Sequence, residues 1–231
     1  MGIIMLLVIG PALGNYATSV VYRLPKGETP FEKHPYCGDC GTMLQPKDLF
    51  PLWSFLFSKG KCNYCGVKIR PMYFCIELIS LVICLTNFLF FGITEAFILL
   101  NNIAILWLIA AAIEWHEGVV YKQMLGYTAA IVAIMRVLVD DSIYPMIQSG
   151  FIGLFASLIL WKLLHRRNEQ LPHYVYASAL LGLAVPLVWL PKALLAYAIM
   201  YGLLRLIWKN PHLHLLASGA TWWAITLYYY Y

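Results

Sequence analysis

Apolar residues in this chain fall in long blocks, not in the alternation of a half-buried strand or the one-sided stripe of a surface helix. Blocks close to the roughly 20 residues needed to cross hydrocarbon lie at about 1–22, 73–92, 96–113, 124–139, 145–164, 174–190, 192–208 and 213–231. One long polar stretch, 23–72, breaks the series. The pattern predicts an all-α polytopic membrane protein with about eight transmembrane helices. Residues 1–22 form the first span, 23–72 a small extramembrane domain, and 73–231 a seven-helix membrane domain. The first block lacks a basic n-region and is longer than a signal-peptide core, so it is expected to be retained.

Composition agrees. Of 231 residues 61% are hydrophobic and only 12% charged, with a mean hydropathy of +0.72; a soluble domain carries about 25% charged residues. The net charge of +5 matters by its position. Eight of the 16 Lys and Arg residues fall in 23–72. With alternating spans, Lys122, Lys162, Arg166, Arg167, Arg205 and Lys209 join them, leaving Arg136 and Lys192 opposite, beside Asp140 and Asp141. The basic side is expected to be cytoplasmic, with the N-terminus outside. No phosphate-binding loop, dinucleotide fingerprint or nucleic-acid motif is present.

The polar stretch contains YCGDCG and CNYCG, so that Cys37, Cys40, Cys62 and Cys65 follow the C-x2-C…C-x2-C spacing of a four-thiolate zinc site. Each pair sits on a tight turn that Gly38, Gly41 and Gly66 permit, and two such turns complete a tetrahedral shell. The competing arrangement is a pair of disulfides, which a reducing cytosolic face disfavours. A closed site of this kind is structural and holds a loop too small to own a core. Cys75 and Cys84 lie in an apolar block and read as small buried hydrophobes.

Between the third and fourth blocks comes IEWHEGVVYK, residues 113–122, dense in ionisable groups. Charges in hydrocarbon cost at least a few kcal/mol, so the stretch is expected at the cytoplasmic mouth. Glu114 and Glu117 are read as a solvated acidic turn, with an improvised carboxylate pair as the functional option. A metal site of Glu114, His116 and His173 is a further option.

Several motifs in order resemble the bacterial type IV prepilin peptidases, which remove the leader from type IV prepilins and type II secretion pseudopilins and often N-methylate the new terminus. GNYATSVVYRLPKGE, residues 14–28, resembles the family's Gly-Ser-Phe-x-Asn…Tyr-Arg-Leu-Pro opening, with Thr18 where Asn is usual. The two cysteine pairs, Asp48–x2–Pro51–Leu52 between them, and Tyr73…Glu77 after them also fall in the family's order. The resemblance implies an inner-membrane aspartic endopeptidase with prepilin or pseudopilin as partner, lipid around it, a homodimer as one option, and S-adenosylmethionine as methyl donor. It also implies two catalytic aspartates. Glu114 stands at the first position and Tyr174 at the second, and the four aspartates, Asp39, Asp48, Asp140 and Asp141, all lie elsewhere. The glutamate displaces its acid by about 1.5 Å, which can cost on the order of a hundredfold, and tyrosine is a poor base near neutrality. The expectation is therefore a prepilin peptidase family protein whose cleavage step is in question. The alternative is a catalytically dead scaffold that binds prepilin, and a smaller option is methyl transfer alone.

Two further stretches have plain readings. The aromatic C-terminus, Trp222–Trp223 and Tyr228–Tyr231, reads as an interfacial belt, and HRRNEQLPH, residues 165–173, as positive-inside anchoring.

Overall fold

The computed structural model describes residues 2–29, 34–140, 144–164, 173–185, 187–208 and 212–230. Among these, the regular elements are helical: α1 (Gly2–Arg23), α2 (Trp53–Phe57), α3 (Pro71–Phe91), α4 (Glu95–Glu117), α5 (Lys122–Asp140), α6 (Tyr144–Leu164), α7 (His173–Ala184), α8 (Leu190–Trp208) and α9 (His214–Tyr230). Each apolar block is helical over its described residues, but 174–190 forms only the 12-residue α7 and a separate short turn at Leu187–Trp189, and α2 is the short addition inside the polar stretch. Among the described residues three stretches, Met5–Lys26, Pro71–Phe91 and Glu95–Glu117, are long and apolar enough to cross a membrane, against the eight expected. Local signals set several ends. Pro71 opens α3, where its missing N–H costs nothing. Gly92 at φ 62° closes α3 and Gly118 at φ 65° closes α4, each donating its N–H four residues back.

The chain divides into two compact units, Met1–Phe97 and Ile98–Tyr231. In the first, α1 and α3 pack antiparallel through a Gly10-xxx-Gly14 ridge. A side chain at Gly10 would meet Leu81 Cα at 3.0 Å, and one at Gly14 would meet Glu77 Cα at 2.5 Å. Small residues at this spacing let two backbones approach where lipid supplies no hydrophobic drive. Ser80 Oγ adds an interhelical bond to the Gly10 carbonyl at 2.8 Å. Cys84 is buried at this contact as expected, whereas Cys75 is exposed on the outer surface of α3.

In the second unit α4 is buried along much of its length. From Ile103 to Glu114 all but Leu106 are among its buried residues, as befits a helix apolar on every side. Trp107 stacks on Trp222 of α9 with ring centroids 5.3 Å apart and donates from its indole to Ser218 Oγ at 3.2 Å. Trp222 is thus 1% exposed, a core residue and not part of an interfacial belt; Tyr228 is exposed. The belt reading fails for Trp222 because its ring faces Trp107 of α4. Residues 165–172 and Asp141, with the side chains of Arg136 and Asp140, lie outside the described residues.

Candidate functional site

Two clusters of chemistry-bearing side chains stand out, one in each unit. In the first, the two cysteine turns are built alike. Cys37 N–H donates to the Thr42 carbonyl at 2.9 Å and Gly41 N–H to the Cys37 carbonyl at 2.9 Å; Cys62 N–H donates to Val67 at 2.8 Å and Gly66 N–H to Cys62 at 2.9 Å. Gly41 and Gly66 take φ 69° and 72°, where a side chain is strained. Their four sulfurs lie within 4.8 Å of one another, and all four cysteines are free thiols. Cys37 Sγ and Cys65 Sγ are 3.9 Å apart, far beyond the roughly 2.05 Å of a disulfide.

The electrostatics suit a cation. Hydrogen bonds from the Thr42 hydroxyl and backbone hold the Cys40 thiol down to about 6, against a smaller opposing effect of desolvation. At Cys65 a backbone bond at Val67 favours the thiolate, but desolvation and the three neighbouring sulfurs overcome it and push the thiol up to about 12. Four sulfurs this close cannot all carry charge unaided, and a divalent metal removes that conflict by displacing the protons. Donor type and count fit zinc or another thiophilic ion.

The loop is tied down by its neighbours. Burial opposes ionisation of Asp48, but Asn63 Nδ2 at 2.7 Å, the Tyr64 hydroxyl at 2.8 Å and Gln45 N–H at 3.0 Å outweigh it and lower its pKa. Asn15 Nδ2 of α1 donates to the Leu49 carbonyl at 3.2 Å. Leu52 adopts φ 62°, ψ −49°, a costly backbone for a leucine. In that conformation its N–H donates to Glu77 Oε2 of α3 at 2.6 Å. Of the residues singled out in the sequence by order alone, Asp48 therefore ties the loop to itself, while Leu52 and Glu77 latch it to α3.

The second cluster centres on Glu114, in the last turn of α4 and 0% exposed. The solvated-turn reading is wrong for this residue. Its Oε1 lies 2.9 Å from His173 Nδ1, and its Oε2 accepts the Leu215 N–H at 2.7 Å. A carboxylate at the C-terminal end of its own helix faces the unfavourable pole of that dipole; here it rests on the N-terminal turn of α9, where the sign is favourable. His173 is the first residue of α7, and its ring lies 5.4 Å from that of His212, centroid to centroid. Gly118 fits against His212, which a side chain there would meet at 3.1 Å from Nε2. His214 in turn bonds the Tyr197 hydroxyl through Nδ1 at 2.7 Å and stacks on Tyr201. Glu117 is turned outward with His116 3.9 Å away, so neither joins Glu114. Glu114, His116 and His173 do not converge as metal ligands among the described residues. Tyr174 follows His173 in the helix, and its side chain lies outside the described residues. His212 and His214 escaped the sequence reading; the signal was the PHLH turn entering the last apolar block.

Helices of membrane-spanning length and a four-thiol loop define a membrane protein with a metal-binding type of knuckle. Residues 8–91 match the Bacterial Peptidase A24 N-terminal domain. The chain is 29% identical over 157 residues to the prepilin leader peptidase/N-methyltransferase of Bacillus subtilis (strain 168), covering 67% of this chain and 61% of that one. It is 27% identical over 168 residues to the protein of the same name from Vibrio cholerae, covering 68% and 64%. With the Myxococcus xanthus protein of that name it shares 31% over 94 residues, 41% of this chain and 26% of the other. Over these stretches the chain is similar to proteins of the prepilin peptidase family. Its matched part spans somewhat under two thirds of the length of the first two relatives. No solved structure matches it.

Proposed function

We propose that the chain is a multi-pass protein of the bacterial inner membrane, with about eight spans, that processes the leader of type IV prepilins or type II secretion pseudopilins. In this reading 1–22 is the first span, 23–72 a cytoplasmic domain and 73–231 the remaining membrane domain. Cys37, Cys40, Cys62 and Cys65 hold a structural Zn²⁺ and fix the docking loop. The observation that carries the reading is the complete burial of Glu114 with two hydrogen bonds at the mouth of α4, α7 and α9. A buried carboxylate held by a titratable partner is costly to keep and is typical of functional sites. Methyl transfer, which would draw on S-adenosylmethionine, rests on the relatives' names alone.

The test is leader cleavage: purified protein mixed with a prepilin from its own genome, beside Glu114→Ala. A mass loss equal to the leader, absent in the variant, supports the reading. A prepilin left uncut, yet retained by the protein and released when Cys37→Ser undoes the loop, would replace it with the scaffold reading, for which the replacement of both aspartate positions speaks.

A further inference from the structure

We propose that His173 is the general base of this site, with Glu114 as the positioning residue that sets its tautomer and steadies its cation. The inference rests on the leader-processing reading and adds a residue and a reaction path to it. With Glu114 as a carboxylate, which accepts hydrogen bonds only, the 2.9 Å contact takes His173 Nδ1 as its donor. That leaves Nε2 with its lone pair, on a side chain 22% exposed while Glu114 is 0% exposed. Buried acid and part-exposed imidazole then stand in the order used wherever a carboxylate orients a catalytic histidine, with Nε2 on the side of the ring away from Glu114. Glu114 itself has no free direction: one oxygen holds His173 and the other caps α9 at Leu215. It is therefore poorly placed to touch substrate, and His173 is the group that can.

The reaction class is hydrolysis of a peptide bond presented at the end of α7. Nε2 takes one proton from a water as its oxygen bonds to the scissile carbonyl carbon, giving a tetrahedral oxyanion and an imidazolium paired with Glu114. Collapse breaks the C–N bond, and the leaving amine takes the proton from Nε2. The histidine returns to its starting state, and one water has been consumed for one peptide bond. No aspartate and no second carboxylate are needed.

The obvious structural account is that Glu114 merely caps α9 and fills a polar gap. Glu114→Gln separates the two. Its amide oxygen still accepts from Leu215, while its NH₂ donates to His173 and imposes the opposite tautomer, leaving the proton on Nε2. The experiment follows kcat and KM for cleavage of a full-length prepilin in detergent by wild type, Glu114→Gln and His173→Ala, the last with and without added imidazole. The expected result is a fall in kcat of about 10³–10⁴-fold in both variants at unchanged KM, with imidazole partly restoring His173→Ala. Cleavage by His173→Ala at the wild-type rate overturns the proposal while leader processing stands. So does a dead His173→Ala that unfolds like wild type yet gains nothing from imidazole, or a fully active Glu114→Gln. A prepilin uncut by wild type overturns the leader-processing reading and the proposal with it.

Discussion

Gly14→Ala tests whether the approach of α1 to α3 carries the loop. A Cβ built on the present backbone would overlap Ser80 Oγ and stand 2.5 Å from Glu77 Cα and 3.2 Å from Glu77 N. Non-bonded carbons rest at about 3.5–4.0 Å, so the contact is short by roughly 1 Å. Two of these atoms are backbone, and no rotamer change relieves them; α1 and α3 must separate. Overpacking of this kind costs about 1–3 kcal/mol, and backbone rigidity pushes this case to the upper end. Against it, alanine gains about 0.5–1 kcal/mol over glycine within a helix. The net expectation is a loss of about 2 kcal/mol. Gly126 of α5 has nothing within 4 Å and supplies the control: there the same change should stabilise by up to about 1 kcal/mol. Gly10→Ala, facing Leu81 Cα at 3.0 Å and Cys84 Cβ at 3.1 Å, should fall between.

The effect should not stop at the helices. Asn15 follows Gly14, Glu77 is the residue the new methyl strikes, and these two hold Leu49 and Leu52. Separation of α1 from α3 therefore lengthens both tethers. Equilibrium unfolding in mild detergent gives the order of stabilities, and limited proteolysis of the loop reports the tethers. A Gly14→Ala protein as stable as Gly126→Ala, or one destabilised with its loop still protected, would refute the coupling.

Three further outcomes follow from single sites. Purified protein should carry about one zinc per chain by elemental analysis, and Cys62→Ser should carry none; an unchanged metal content would remove the knuckle from the account. Asp48 has a depressed pKa in the folded state, so it contributes stability above the ordinary carboxylate value that is lost as pH falls through the folded value. In metal-free protein, protection of the loop from an acid protease should decline below about pH 4, and Asp48→Asn should lack that pH-dependent decline. Trp222→Ala should cost about 3–5 kcal/mol in the same unfolding assay, because it empties the stack on Trp107, while Tyr228→Ala on the exposed end should change little.

Helix positions were legible in the sequence because lipid-length apolar blocks have few alternative folds, and the cysteine spacing was legible because two short turns fix four donors locally. The direction in which a side chain faces was less so. Glu114 and Glu117 are three residues apart, which on a helix is about 60°, and they look like one acidic face. Gly118 ends α4 one residue after Glu117; Glu117 lies exposed beside His116, while Glu114 is buried against α9. Trp222 and Trp223 illustrate the same difficulty, since the partner that selects Trp222 is Trp107, far away in the chain.

The burial of Glu114 constrains what can stand beside it. An ionised carboxylate in an apolar interior is too costly to keep unless a cation or aligned dipoles meet it, and the end of its own helix supplies the wrong sign. Two supports are present, the first N–H groups of α9 and the imidazole of His173. A second carboxylate in the place of that imidazole would remove one support and add a like charge, so one of the two acids would have to stay protonated. A histidine there adds no like charge and needs no shared proton. The burial of Glu114 and the imidazole beside it are thus parts of one electrostatic arrangement, in which the residue that holds Glu114 is also the one able to accept a proton.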